Sequence, residues 1–103
     1  MEIKLAYVTV SSGEEADAIA EAVVTERLAA CANILPGARS IFQWEGTLRR
    51  EEEVVLILKT TARQKEKLTA RIRELHSYDC PCIVFLPIEG GNPDFLKWVG
   101  ESV

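Results

Sequence analysis

The stretch Leu75-His76-Ser77-Tyr78-Asp79-Cys80-Pro81-Cys82 gathers the chain's single histidine and two of its three cysteines. An imidazole and two thiolates suit a soft or borderline ion such as copper or zinc. In extended backbone Cys80 and Cys82 project to the same side. His76 stands a few residues earlier, at a helix end, and can fold back toward them. His76, Cys80 and Cys82 are therefore the candidate metal ligands. The same residues also admit a structural reading. Cys82 would then be a small buried side chain, Cys80 incidental, and His76 a cap at a helix C-terminus, where a cation is favoured.

Other residues with chemical potential are scattered. Cys31 lies in an Ala-Ala-Cys-Ala setting and reads first as a small buried residue. Lys59 follows a run of strand residues; it either reaches solvent or stands as a fixed cation facing an anion or a carboxylate such as Glu53. Trp44 and Tyr78 read as core or interface aromatics, or as walls of a small-molecule pocket. Glu51-Glu52-Glu53 is an acidic edge that hard cations can use weakly. Enzyme signatures are missing: the chain has no Gly-x-Gly-x-x-Gly, P-loop, Gly-x-Ser-x-Gly or His-Glu-x-x-His. No residue can be assigned to orient a Cys–His nucleophilic pair. The expectation is a protein that is not an enzyme and carries no organic cofactor.

These side chains need elements to hold them. Ile3 to Val10 reads as a strand with apolar residues on both faces. Ala16, Ile19, Ala20, Val23, Val24 and Leu28 recur at helical spacing, which predicts a helix from Gly13 to Leu28 opened by a Ser12–Glu15 capping box. Cys31 to Leu35 is short and apolar, and Pro36-Gly37 interrupts it with a turn or bulge. Arg39 to Thr61 reads as two strands joined at Glu45-Gly46, where glycine supplies a positive φ. Its second arm places Val54, Leu56 and Leu58 on one face and Val55 and Ile57 on the other. A second helix, Ala62 to Leu75, is expected after a Thr61–Gln64 capping pair, with Leu68, Ile72 and Leu75 inside. Ile83 to Leu86 is a last strand stopped by Pro87. Asn92-Pro93 then starts a C-terminal helix with Phe95, Leu96, Trp98 and Val99 on a broad apolar face.

Strand, helix, strand, strand, helix, strand is the split β-α-β order called ferredoxin-like. The expected fold is thus α+β, a ferredoxin-like βαββαβ sandwich over residues 1–103 as a single domain. It has a long hairpin between its second and third strands and a C-terminal helix. In that fold both main helices lie on one face of the sheet. The other face here is also apolar, which predicts association with further copies of the chain. Hydrophobic residues make up 48% of the 103, so disorder is excluded as a global state. A net charge of −4 argues against nucleic acid as a partner. No apolar run approaches the ~18 residues of a membrane span. The Met1-Glu2-Ile3-Lys4 start lacks a signal-peptide layout, and an odd cysteine count fits a reducing compartment. The expected location is cytoplasmic.

Several stretches resemble the CutA family of divalent-cation tolerance proteins: Leu28-Ala29-Ala30-Cys31-Ala32-Asn33, Ile34-Leu35-Pro36-Gly37, Trp44-Glu45-Gly46, Glu53-Val54, Leu58-Lys59-Thr60-Thr61, and His76-x-Tyr78-x-x-Pro81-x-Ile83. The resemblance implies a small cytoplasmic subunit that assembles as a homotrimer, tolerance of divalent metals, copper above all, and Cu2+ or another divalent cation as ligand. It also implies a likeness to PII signalling trimers, which bind small effectors between subunits. Carried over residue by residue, it offers Cys31, Trp44, Glu53, Lys59, His76 and Tyr78 as an inter-subunit cleft. This chain departs from the family pattern in having Ser77 where proline often follows the histidine. It has Leu75-His76 where some members have paired histidines, and Val8 near a first-strand cysteine that others carry. A scaffold whose trimer is itself the functional unit is the third expectation.

Overall fold

In the computed structural model, which describes residues 2–103, the chain runs β1 (Ile3–Val10), α1 (Gly13–Thr25), β2 (Cys31–Trp44), β3 (Thr47–Thr61), α2 (Lys65–Leu75), β4 (Ile83–Pro87) and α3 (Pro93–Ser102). The strands form one antiparallel sheet in the order β2-β3-β1-β4. This is the expected α+β, ferredoxin-like arrangement, with β1 and β3 central, and it accounts for the apolar residues on both faces of those two strands.

Strand alternation divides the side chains between two layers. Toward one side β1 turns Ala6, Val8 and Val10, and β3 turns Leu56 and Leu58. They pack on Ala16, Ile19 and Val23 of α1 and on Leu68 and Ile72 of α2, and all of these are fully buried. Truncation of Leu58 to alanine is expected to cost about 2–5 kcal/mol. A denaturation midpoint unchanged at fixed protein concentration would contradict that placement.

The other side carries Leu5, Tyr7 and Thr9 of β1, cross-strand from Lys59, Ile57 and Val55 of β3. Leu86 and Val84 of β4 extend the same row beyond Leu5 and Tyr7. Only one end of this layer is covered: Val99 of α3 is buried against Ile3 and Ala30, flanked by Leu96, Ile88 and Val103. Beyond it Val55 is buried, but Leu35, Val84 and Leu86 stay exposed at 45%, 50% and 48%.

Local chemistry decides several boundaries. α1 stops at Thr25, three residues short of the expected Leu28. Arg27 takes the left-handed conformation at φ 60. The Leu28 amide bonds the Val23 carbonyl and the Arg27 amide bonds that of Val24, the paired pattern of a Schellman ending. At its start Ser12 accepts the Glu15 amide, but the Glu15 carboxylate takes the Ser11 amide instead of that of Ser12, so the capping box closes one residue early. The Thr61–Gln64 cap does not form. Thr61 still belongs to β3, opposite Ile3, and its buried hydroxyl has no partner. A short 3-10 turn, Ala62–Gln64, leads into α2 in its place. Arg71 of α2 reaches Glu26 at the end of α1 through two nitrogens, at 2.9 and 3.0 Å. Asn92 caps α3 as expected, accepting the Asp94 amide.

β2 is one strand, not a short piece followed by a hairpin arm, and Pro36-Gly37 form a bulge between Leu35 and Ala38. Gly37 adopts φ 86, which its missing Cβ permits. The hairpin turns at Glu45 (φ 51) and Gly46 (φ 79), both positive as a two-residue turn of matching twist requires. The hairpin stretches the molecule to 45 Å along its long axis against 25 and 22 Å across.

Candidate functional site

The two-residue turn sets the register of the hairpin: Trp44 stands opposite Thr47, Phe42 opposite Arg49, Ser40 opposite Glu51 and Ala38 opposite Glu53. Phe42, Trp44, Arg49, Glu51 and Glu53 therefore share one face. The segment after α2 folds against that face, and between them lies a cleft of about 420 Å3. Thr9, Tyr78, Asp79, Cys80 and Cys82 complete its lining. Trp44 is half exposed, whereas Glu53 is buried.

At the base of the cleft the Tyr78 hydroxyl donates to Glu53 Oε2 at 2.9 Å. Burial first, and then the hydrogen bond to the Glu53 carboxylate and its charge, push the Tyr78 phenol up to about 12. Folding thus favours the neutral phenol. Its contribution to stability is complete below the ordinary tyrosine value of 10.0 and is lost as pH rises from there toward about 12. Spectrophotometric titration is expected to find one phenol ionising near 12, and Glu53→Gln should lower it. An unchanged titration curve in that variant would dissociate Tyr78 from Glu53. The Cys82 thiol is also raised, by burial and then by the nearby Glu53 charge, with the Thr9 hydroxyl pulling the other way. Cys80 and Cys82 are both exposed, so Cys82 is not the buried apolar filler considered from sequence.

His76 stands behind this cleft, not in it. It is the last-turn cap position of α2, and its ring is buried. Nε2–H donates to the Thr9 carbonyl at 2.8 Å, and Nδ1 accepts the Tyr78 amide at 3.0 Å. Those partner types leave neither ring nitrogen for an ion. The expected His76–Cys80–Cys82 set is thus not assembled, and the ring does not serve α2 as a side-chain cap either. Among the described residues no three His, Cys, Asp or Glu side chains converge as a metal-ligand group. The imidazole packs on the Tyr78 ring, centroids 4.8 Å apart, so its role in the site is to seat Tyr78.

Glu15 seats the same segment from the other side. Its carboxylate accepts from the Ser77 amide at 2.6 Å and the Ser77 hydroxyl at 3.1 Å, and from the Ser11 hydroxyl at 2.7 Å. Burial pushes its carboxyl up, but those hydrogen bonds together outweigh it and hold the group below its ordinary value. No pattern near Glu15 points to Ser77, which is 62 positions away. Phe42 and Arg49 also went unassigned from sequence; the turn register identifies them and places Glu51 of the acidic edge beside them on the same face.

Cys31 and Lys59 lie elsewhere. They face each other across β2 and β3, and the Lys59 ammonium bonds the Asn33 side-chain oxygen. The carboxylate expected for it, Glu53, is six residues along the same strand, or about 20 Å. Of the cleft residues implied by the resemblance, one chain brings together Trp44, Glu53 and Tyr78, backs them with His76, and leaves Cys31 and Lys59 at the far end of the open layer.

A sequence model of the family described as CutA1 divalent ion tolerance protein matches residues 4–102. The chain belongs to the CutA1 divalent ion tolerance family. It is 46% identical to the divalent-cation tolerance protein CutA of Thermus thermophilus over 96% of each chain. The solved CutA1 structure from that organism superposes with a TM-score of 0.95, covering 97% of both chains at 45% identity. CutA1 of Oryza sativa gives a TM-score of 0.96 at 38% identity, over 99% of this chain and 94% of that one. The periplasmic divalent cation tolerance protein CutA of Archaeoglobus fulgidus gives 0.94 at 38% identity over 97% of each. CutA1 relatives thus carry names for tolerance and not for a catalysed reaction. Among the described residues no helix is long and apolar enough to cross a membrane.

Proposed function

We propose that this CutA1-family chain acts in tolerance of divalent cations, with copper as the leading ion. It does so as a cytoplasmic homotrimer whose cleft at Trp44, Glu53 and Tyr78 is the ligand site. The observation that carries the reading is the cleft itself. Its lining includes thiols and carboxylates at Cys80, Cys82, Glu51, Glu53 and Asp79, on a chain whose relatives are named for divalent-cation tolerance. The open apolar layer supports assembly, because an isolated subunit leaves it against water. A site that uses both the Tyr78 group and the Cys31–Lys59 pair requires a second copy. Titration calorimetry with Cu(II) and Zn(II), paired with sedimentation, tests the whole. The expected result is a trimer that binds a divalent ion; a monomer at micromolar concentration, or a trimer with no heat of binding, counts against the respective half.

A second reading, a PII-like trimer that binds a small effector, is favoured by the aromatic walls Phe42 and Trp44 in one cleft with Arg49, whose guanidinium pairs with Glu51 at 3.0 Å in the single chain. Such walls suit a planar anion. A thermal-shift screen of nucleotides and carboxylates addresses it, with Arg49→Ala expected to abolish any stabilisation found.

A further inference from the structure

We propose that the cleft at Trp44 and Glu53 is a site for a small organic ammonium ion, a primary alkylamine in its charged form. This rests on the reading above that the cleft is the ligand site, and it names a ligand with a single positive charge and an apolar body. The cleft holds about 420 Å3, a volume in the range of small-molecule sites and far more than a bare ion fills. Phe42, Trp44 and Tyr78 give its lining three aromatic side chains. Glu51, Glu53 and Asp79 give it three carboxylates, against the single guanidinium of Arg49. That guanidinium is already paired with Glu51 at 3.0 Å. Glu53 and Asp79 form no ion pair among the described residues.

Glu53 decides the sign of the ligand's charge. Its side chain belongs to a residue only 9% exposed, and a carboxylate held that deep is costly without a partner. Tyr78 donates to Oε2. Oε1 receives no hydrogen bond among the described residues, yet it is not sealed from solvent. A positively charged donor supplies what that oxygen lacks, through a charge-assisted hydrogen bond. Aromatic rings add to the attraction, because their faces are negative. An anion gains from neither feature. A divalent ion of the hard class uses several converging oxygens, and no three ligand side chains converge among the described residues. An alkylammonium needs one carboxylate for its N–H groups and an apolar wall for its carbon chain, and the cleft offers both. Lys59, the cation that a second copy would bring, is bonded to Asn33 of its own chain.

The test is an NMR titration of the isotope-labelled full chain with n-butylammonium chloride. Sodium butyrate and butanol serve as the anionic and neutral probes, at equal ionic strength. The readouts are the two indole N–H signals. Trp98 on α3 is nearly as exposed as Trp44, 46% against 50%, so its indole reports any general attraction of cations to a chain of net charge −4. The Trp44 signal is expected to move and saturate with butylammonium alone, while that of Trp98 stays in place. Glu53→Gln keeps an acceptor for Tyr78 and should weaken binding by at least ~10-fold. Glu21→Gln, which removes the same charge from the exposed face of α1, should leave it unchanged. Arg49→Ala frees Glu51 and should tighten binding, the opposite of what an anionic effector requires. Equal movement of both indoles, saturation by butyrate, undiminished affinity in Glu53→Gln, or a still Trp44 signal overturns the proposal. Binding that emerges only in Lys59→Ala also overturns it, since Lys59 of a second copy would then fill the site. The divalent reading fails separately. Silent Cu(II) and Zn(II) calorimetry beside saturable butylammonium binding would remove that reading and keep this one, and the reverse result would do the opposite.

Discussion

Val84→Glu protein is expected to sediment as single chains under conditions where the wild type forms the proposed trimer. Val84 lies on the edge strand β4, opposite Tyr7, and is 50% exposed in the isolated chain. A carboxylate there meets water in a monomer and leaves the α1–α2 core untouched, so circular dichroism should be unchanged. In an assembly that closes the open layer the same carboxylate is buried without a partner. Its desolvation costs several kcal/mol per copy, and each trimer carries the change three times by symmetry. A wild-type trimer that Val84→Glu leaves intact would move the interface off this layer.

His76→Ala is expected to lower stability by about 3–5 kcal/mol. The substitution orphans the Thr9 carbonyl and the Tyr78 amide, each costing ~1–3 kcal/mol when buried without a partner, and it also leaves a cavity. The damage should reach the cleft, because the ring under Tyr78 is gone. Tyr78 should then titrate at lower pH as its bond to Glu53 loosens. A denaturation midpoint within error of wild type would show that water replaces both ring contacts.

The fold was legible because its signals are periodic. Alternation in β1 and β3 marked the central strands, and the 3.6-residue recurrence from Ala16 to Val23 marked α1. The boundaries that moved were set by single residues whose conformation depends on their surroundings. Arg27 ends α1 in a left-handed conformation that arginine does not advertise. Thr61 looked like a cap but is held in β3 by its pairing with Ile3. The site was legible in part. Tyr78 and Glu53 do meet, and Trp44 lines the same cleft from six residues further along the hairpin. The assignment of His76 as a metal ligand came from residue type and closeness in sequence. Neither reports that both nitrogens are taken by backbone groups, one of them 67 positions away. Long-range hydrogen bonds such as Glu15 to Ser77 leave no local trace, so the side chains that position the cleft were the hardest to read.

The bulge at Pro36-Gly37 lets β2 carry one residue more than the stretch of β3 it pairs with. A strand is a wave of period two, and one inserted residue shifts its phase by half a period. Upstream of the insertion the odd positions of β2, Cys31, Asn33 and Leu35, stand opposite Lys59, Ile57 and Val55. Downstream it is the even positions, Phe42 and Trp44, that stand opposite Arg49 and Thr47, still on the odd face of an uninterrupted β3. The inserted residue thus changes the numbering of that face of β2 from odd to even and leaves the face itself in place. Deleting Gly37 would set Leu35, Pro36 and Ala38 opposite Val55, Val54 and Glu53 in unbroken alternation, and Phe42 and Trp44 would still stand opposite Arg49 and Thr47. The wall of the cleft therefore survives loss of the bulge, and only a change of length in the hairpin arm with no bulge to absorb it would exchange its side chains.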